Sequence, residues 1–137
     1  MHDDSSYDVV VVGARCAGAS LARSLARAGR RVLVLDRSTF PSDRLSTHLL
    51  LVKGMYLLRE QGMLDRLTAT GLPLADQMRF NFGEMWIDLP ARRQEIGVEH
   101  VCAPRRTVLD HLLVQGAEEA GAHVRTGTTV DGLVLDG

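Results

Sequence analysis

The chain has 137 residues and a formal charge of −1, enough for one domain with a real core but short for a complete dinucleotide enzyme with its own substrate domain. Basic and acidic residues are interspersed, so no basic face marks nucleic acid as a partner. The two distant cysteines, Cys16 and Cys102, have neither disulfide-framework nor zinc spacing and point to a reducing, cytoplasmic setting. The acidic, polar start does not read as a secretory signal, and no apolar run nears the ~20 residues of a membrane span.

Residues 9–12, Val-Val-Val-Val, read as a buried strand that runs through Gly13-Ala14-Arg15-Cys16-Ala17-Gly18 into a helix over 17–28. Leu21, Leu25 and Ala28 form the apolar stripe expected of that helix, and Gly29 is its stop. Residues 32–35 repeat the apolar strand and end at Asp36, 23 positions after Gly13, close to the ~20 expected for a ribose-binding acid. Both strands are continuously apolar, so a parallel sheet covered on two faces is expected.

Beyond Asp36, residues 38–47 read as a loop around Phe40-Pro41-Ser42-Asp43. A helix is expected over 49–61, a shorter one over 63–70, and a hairpin over 77–89 with its turn at Gly83-Glu84. Trp86 and the neighbouring phenylalanines are expected in a core. Thr107-Val-Leu-Asp110 has the pattern of a capping box opening a helix that runs to about Ala120. A third parallel strand is expected over 123–126 and a further strand over 128–135. Asp136-Gly137 is a hairpin signal whose return strand would lie past the last residue, so the sheet reads as truncated. The fold class is therefore α/β: a Rossmann-like βαβ core over 1–37, a helical and hairpin insertion over 38–100, and a helix, third strand and the start of a meander over 101–137.

In a dinucleotide turn the first glycine permits the bend, the second lets backbone approach the pyrophosphate, and the third lets helix and strand pack closely. Here these positions are Gly13, Arg15 and Gly18. Arg15 reads in two ways, as a guanidinium that pairs with phosphate or ribose, or as a side chain that fills the space the backbone contact needs. Asp36 can accept from both ribose hydroxyls and should repel a 2′-phosphate. Arg37 is either an adenine-stacking group or a solvated surface charge. Cys16, at a helix N-terminus, is either an activated thiol or a small packing residue. His48 is either a cofactor contact or a loop histidine with local hydrogen bonds. Arg105 and Arg106 are either directed at the cofactor or solvated at a helix entry, whereas His100, His111 and His123 have no ligand spacing.

The turn with Asp36-Arg37, the segment from Gly54 through Gly62-Met-Leu-Asp65, and Arg106-Thr-Val-Leu-Asp110 with Gly121-Ala122 together resemble the N-terminal part of the group A FAD-dependent monooxygenases and geranylgeranyl reductase-like flavoproteins. A subgroup of such flavoproteins has a similar Gly-Ala-Arg-Cys-Ala-Gly turn. The resemblance implies FAD on residues 13–18, Asp36 and Arg37, with further contacts from Arg44, Arg106 and the backbone near Val130. It also implies NAD(P)H as electron donor, molecular oxygen as co-substrate and a small organic substrate. No catalytic acid or base is implied, since the flavin carries the chemistry. Two other readings stay open on the residues alone: an NAD-binding Rossmann dehydrogenase, and a non-catalytic nucleotide-binding fragment. The latter would have an unpaired sheet edge that invites self-association.

Overall fold

The structure, a computed structural model, describes residues 6–91 and 93–135, with only the backbone of Gln94. The chain forms two compact units, residues 1–42 with 109–137, and residues 43–108.

The first unit is built on three strands, β1 (Val9–Val12), β2 (Val32–Leu35) and a late strand, His123–Arg125, with β2 in the middle and both pairings parallel. Between β1 and β2 runs α1 (Cys16–Arg27). Register places Val9 beside Val32, and Val11 beside Val34, which in turn lies beside Val124. Neighbours in register share a face, and it is this face that holds the buried Val11, Val32 and Val34.

The opposite face departs from the expected two-sided burial. Val10 and Val12 are exposed, and Leu33 and Leu35 are half-buried. The reason is that a βαβ crossover lays its helix on one side only, and no element among the described residues covers the other.

The expected stripe of α1 is also displaced. Ala19 and Ala22 are its buried residues, while Leu21 is 50% exposed. A Cβ on Gly18 would lie 1.7 Å from the Gly13 carbonyl oxygen and 3.2 Å from Val11 Cγ1. So close a contact between helix and strand leaves room only for small side chains, and it turns the leucine outward. Gly29 ends the helix as expected, its N–H donating to Ala26 O at 2.9 Å.

In the second unit α2 (Val52–Glu60) and α3 (Leu64–Thr68) pack together. The first of these starts later than expected because Leu50 exchanges both backbone hydrogen bonds with Cys102, at 2.7 and 3.3 Å. A small antiparallel pair, β3 (Leu74–Ala75) with β6 (Val101–Cys102), was not foreseen. The hairpin is present as β4 (Gln77–Phe82) and β5 (Met85–Pro90), closed by Gly83 and Glu84. Its aromatic residues do not form the expected core: Trp86 is 59% exposed and Phe82 is also exposed. A two-stranded ribbon cannot enclose side chains, and Arg79 pairs across it with Asp88 through two bonds of 2.6 and 2.9 Å.

The chain returns to the first unit through α4 (Arg106–Glu119) and then β7 (His123–Arg125). Residues 128–135 form no strand, contrary to expectation. They start instead from backbone bonds to the end of β2, Thr128 N–H to Asp36 O at 2.9 Å and Gly127 N–H to Ser38 O at 3.2 Å. The expected hairpin turn at Asp136-Gly137 lies outside the described residues.

Substituting Gly18 by alanine places a methyl group against backbone that cannot yield. It should cost about 3 kcal/mol of folding stability, the upper end for overpacking, measured by urea unfolding.

Candidate functional site

The bend after β1 is fixed by backbone. Gly13 sits at φ +101°, a conformation L side chains rarely adopt, and its N–H extends the β1–β2 ladder by donating to Leu35 O at 2.7 Å. Arg15 follows at φ −86°, ψ −164°, extended backbone open to any residue, so this position does not itself demand glycine. Arg15 is the N-cap of α1 but gives it no side-chain cap, and the first turn contains no acidic residue. The amide donors at such a helix start suit an anion, favoured further by the helix dipole.

Asp36 closes β2 directly beside this bend. It is 7% exposed; Oδ2 accepts the Ala14 N–H and Oδ1 the Ser38 N–H, both at 2.7 Å. Burial pushes its pKa up, but the hydrogen bonds from Ala14 and Ser38, with the charge of Arg15, outweigh this and hold the carboxyl below its usual range. It is therefore an anion at neutral pH. The Ser38 hydroxyl adds a further hydrogen bond to the same carboxylate.

The side chain of Arg15 is engaged by the protein's own groups. Its Nη1 donates to Asp110 Oδ2 at 2.5 Å, its Nη2 to Ser42 Oγ at 2.7 Å and Ser38 Oγ at 3.3 Å, and the Phe40 ring lies 5.3 Å from Cζ. Cys16 Sγ donates to the other oxygen of the same aspartate at 3.2 Å. Asp110 is fully buried. The helix opens at Arg106, which puts Thr107 inside its first turn instead of at the cap, and Asp110 bonds Arg15 in the turn after β1. Asp110, Ser38 and Ser42 are thus parts of the site that the sequence reading missed. Nothing local signals them, since Arg15 and Asp110 stand 95 positions apart.

Of the other expected site residues, Ala17 and Gly18 lie in the first turn of α1, and Arg37 is exposed next to Asp36. Val130 is exposed two residues past Thr128, which is bonded to the Asp36 carbonyl. Arg44 and Arg106 belong to the second unit. There Arg44 lines an open cavity of about 380 Å³ with Asp43, Leu45, His48 and Arg105. Arg105 is ion-paired with Asp43, and this hydrogen bond is the main reason the Asp43 carboxyl lies below its usual range. His48 adopts φ +57°, and its backbone N–H donates to Ser46 Oγ at 3.1 Å. Its Nε2 is buried without a hydrogen-bond partner. Among the described residues no cluster of side chains is arranged to hold a metal ion.

Residues 6–137 match the family described as FAD binding domain. The chain belongs to that family. The resemblance to FAD-dependent flavoproteins read from the sequence holds. The FAD-binding domain is 35% identical over 93% of its length to menaquinone reductase of Mycobacterium tuberculosis. It is 30% identical over 98% to conditioned medium factor receptor 1 of Dictyostelium discoideum, and 30% identical over 95% to rifampicin monooxygenase of Streptomyces venezuelae. It covers 30%, 28% and 27% of those proteins respectively, less than a third of each. A solved flavoprotein/dehydrogenase from Cytophaga hutchinsonii superposes with a TM-score of 0.82 at 26% identity, over 95% of this chain and 32% of that one.

Because the folded pKa of Asp36 lies below the unfolded one, its ionised form stabilises the fold above the ordinary carboxylate range, and that support is lost as pH falls through the lowered folded value. Asp36→Asn keeps one acceptor and turns an NH2 group toward a backbone N–H. It should cost about 2 kcal/mol at neutral pH and flatten the fall in stability below about pH 4, as read by urea unfolding across pH.

Proposed function

We propose that the chain is the FAD-binding portion of an NAD(P)H-dependent flavoprotein oxidoreductase, a monooxygenase of a small organic substrate. The observation that carries the cofactor assignment is the buried, ionised Asp36, bonded to Ala14 N–H beside a helix start with no side-chain cap. In this reading the backbone of residues 13–18 receives the pyrophosphate, and the Asp36 carboxylate accepts from the ribose hydroxyls. Arg37 and the backbone near Val130 flank the adenine side, and Arg44 and Arg106 are the further cofactor contacts that the family resemblance implies. The negative charge of Asp36 disfavours a 2′-phosphate, so a phosphorylated nicotinamide donor would have to bind elsewhere.

When bound, flavin supplies the redox chemistry, taking hydride from the nicotinamide donor and passing electrons to oxygen. What this chain's residues do is bind and orient. The turn holds the diphosphate, and Asp36 fixes the sugar and discriminates against other nucleotides. Rifampicin monooxygenase among the relatives supports oxygenation as the overall reaction. Menaquinone reductase supports a second reading, in which the same flavin reduces an organic substrate without using oxygen.

Purified protein should show the two absorption bands of oxidised flavin, or acquire them on addition of FAD. Asp36→Ala should weaken FAD about tenfold or more while leaving riboflavin binding unchanged, as expected for lost hydrogen bonds to a charged acceptor. A folded protein that binds no FAD would sink the assignment. Substrate-dependent oxygen uptake with NAD(P)H separates oxygenation from the reductase reading.

A further inference from the structure

We infer that Arg15 acts as a positioning residue, locking the nucleotide turn to the loop after β2 through Asp110, Ser38 and Ser42, and is not a ligand of the phosphates. The inference rests on the reading of residues 13–18 as the FAD diphosphate site and deepens it.

Three contacts already occupy the guanidinium, to Asp110 at 2.5 Å, Ser42 at 2.7 Å and Ser38 at 3.3 Å, and its Cζ lies over the Phe40 ring at 5.3 Å from the centroid. Asp110 has no exposed surface. Drawing Arg15 away to a phosphate would break a 2.5 Å ion pair with a fully buried carboxylate, which is unfavourable. Ser42, Ser38 and Phe40 would lose their partner in the same movement. The pair with Asp110 is neutral as a unit, so attraction for the diphosphate falls to the backbone amides and the dipole of α1.

What the lock holds is the frame of the site. Arg15 and Cys16, at the junction of turn and helix, both bond Asp110. Loop residue Ser38 is tied at one side to Asp36 through its N–H and at the other to Arg15 through its hydroxyl, and Ser42 is tied to Arg15 four residues later. The acid that faces the ribose, the bend that faces the diphosphate and the loop between them are thus set before a ligand arrives. Ordering paid in advance of binding appears as affinity. A guanidinium holds its donors in a fixed planar fork that spans acceptors on separate edges, whereas the three donors of a lysine radiate from one rotating point charge and do not reproduce that spread.

The test is FAD affinity in the full chain for wild type, Arg15→Met, Arg15→Lys, Asp110→Asn and the double variant Arg15→Met/Asp110→Asn, measured well below the unfolding temperature of each. If the lock operates, Asp110→Asn weakens FAD about tenfold although the residue is buried away from any ligand, and the double variant is no worse than the poorer single one, the non-additivity of residues acting as one unit. Arg15→Lys, which keeps the charge but not the fork, should fail as badly as Arg15→Met. The inference is overturned if Arg15→Lys keeps wild-type affinity, or if Asp110→Asn leaves or tightens binding while Arg15→Met loses it. It is also overturned if the variants unfold at lower temperature with unchanged affinity, which is a purely structural role. Should Arg15→Met not fold, the two conservative single variants and their combination carry the same comparison. A folded wild type that binds no FAD fails the functional assignment itself, and so is distinct from these outcomes.

Discussion

The carboxylate of Asp36 is the interaction on which the first unit depends. Parallel strands have no tight turn between them, so nothing covalent aligns their ends. Here the end of β2 reaches sideways, one oxygen on the amide after Gly13 and the other on the amide of Ser38. A buried carboxylate needs such donors, and a buried amide needs such an acceptor. The exchange fixes the bend and the loop together. The same atoms stabilise the fold and hold the acid beside the bend, and charge-assisted hydrogen bonds of this kind resist displacement.

Around that point the protein relies on the absence of bulk. Gly18 touches the Gly13 carbonyl, and Ala14, Ala19 and Ala22 are buried where larger side chains would separate helix from sheet. Close approach keeps the start of α1 directly over the end of β1, which is where a diphosphate gains most from the amides and the dipole. The uncovered valines of β1 and the exposed hairpin aromatics belong to a chain that spans less than a third of the relatives it matches. No helix among the described residues is long and apolar enough to cross a membrane.

The second unit has a different character. Its cavity brings Arg44, Arg105 and His48 together on loops, with Asp43 balancing one arginine. The left-handed backbone at His48 and the buried, unpartnered Nε2 of its ring make this histidine the least satisfied polar group of that cavity. Of the two readings the sequence allowed, local hydrogen bonding is met by the main chain and not by the ring.

Local chemistry made much of this legible in advance. Four consecutive valines, Gly13, the stop at Gly29 and a second apolar run ending in an acid specify strand, bend, helix and strand through backbone preferences that act within a few residues. The hairpin and the helix over Arg106–Glu119 were legible for the same reason. Tertiary structure alone decided the rest. Which face of α1 is buried followed from its distance to β1, and the start of α2 was set by Leu50 pairing with Cys102 far along the chain. The duty of Asp110 was settled by an arginine that sequence spacing could not connect to it. A local pattern states what a residue can do, but a carboxylate, once buried, goes to whichever cation the fold delivers.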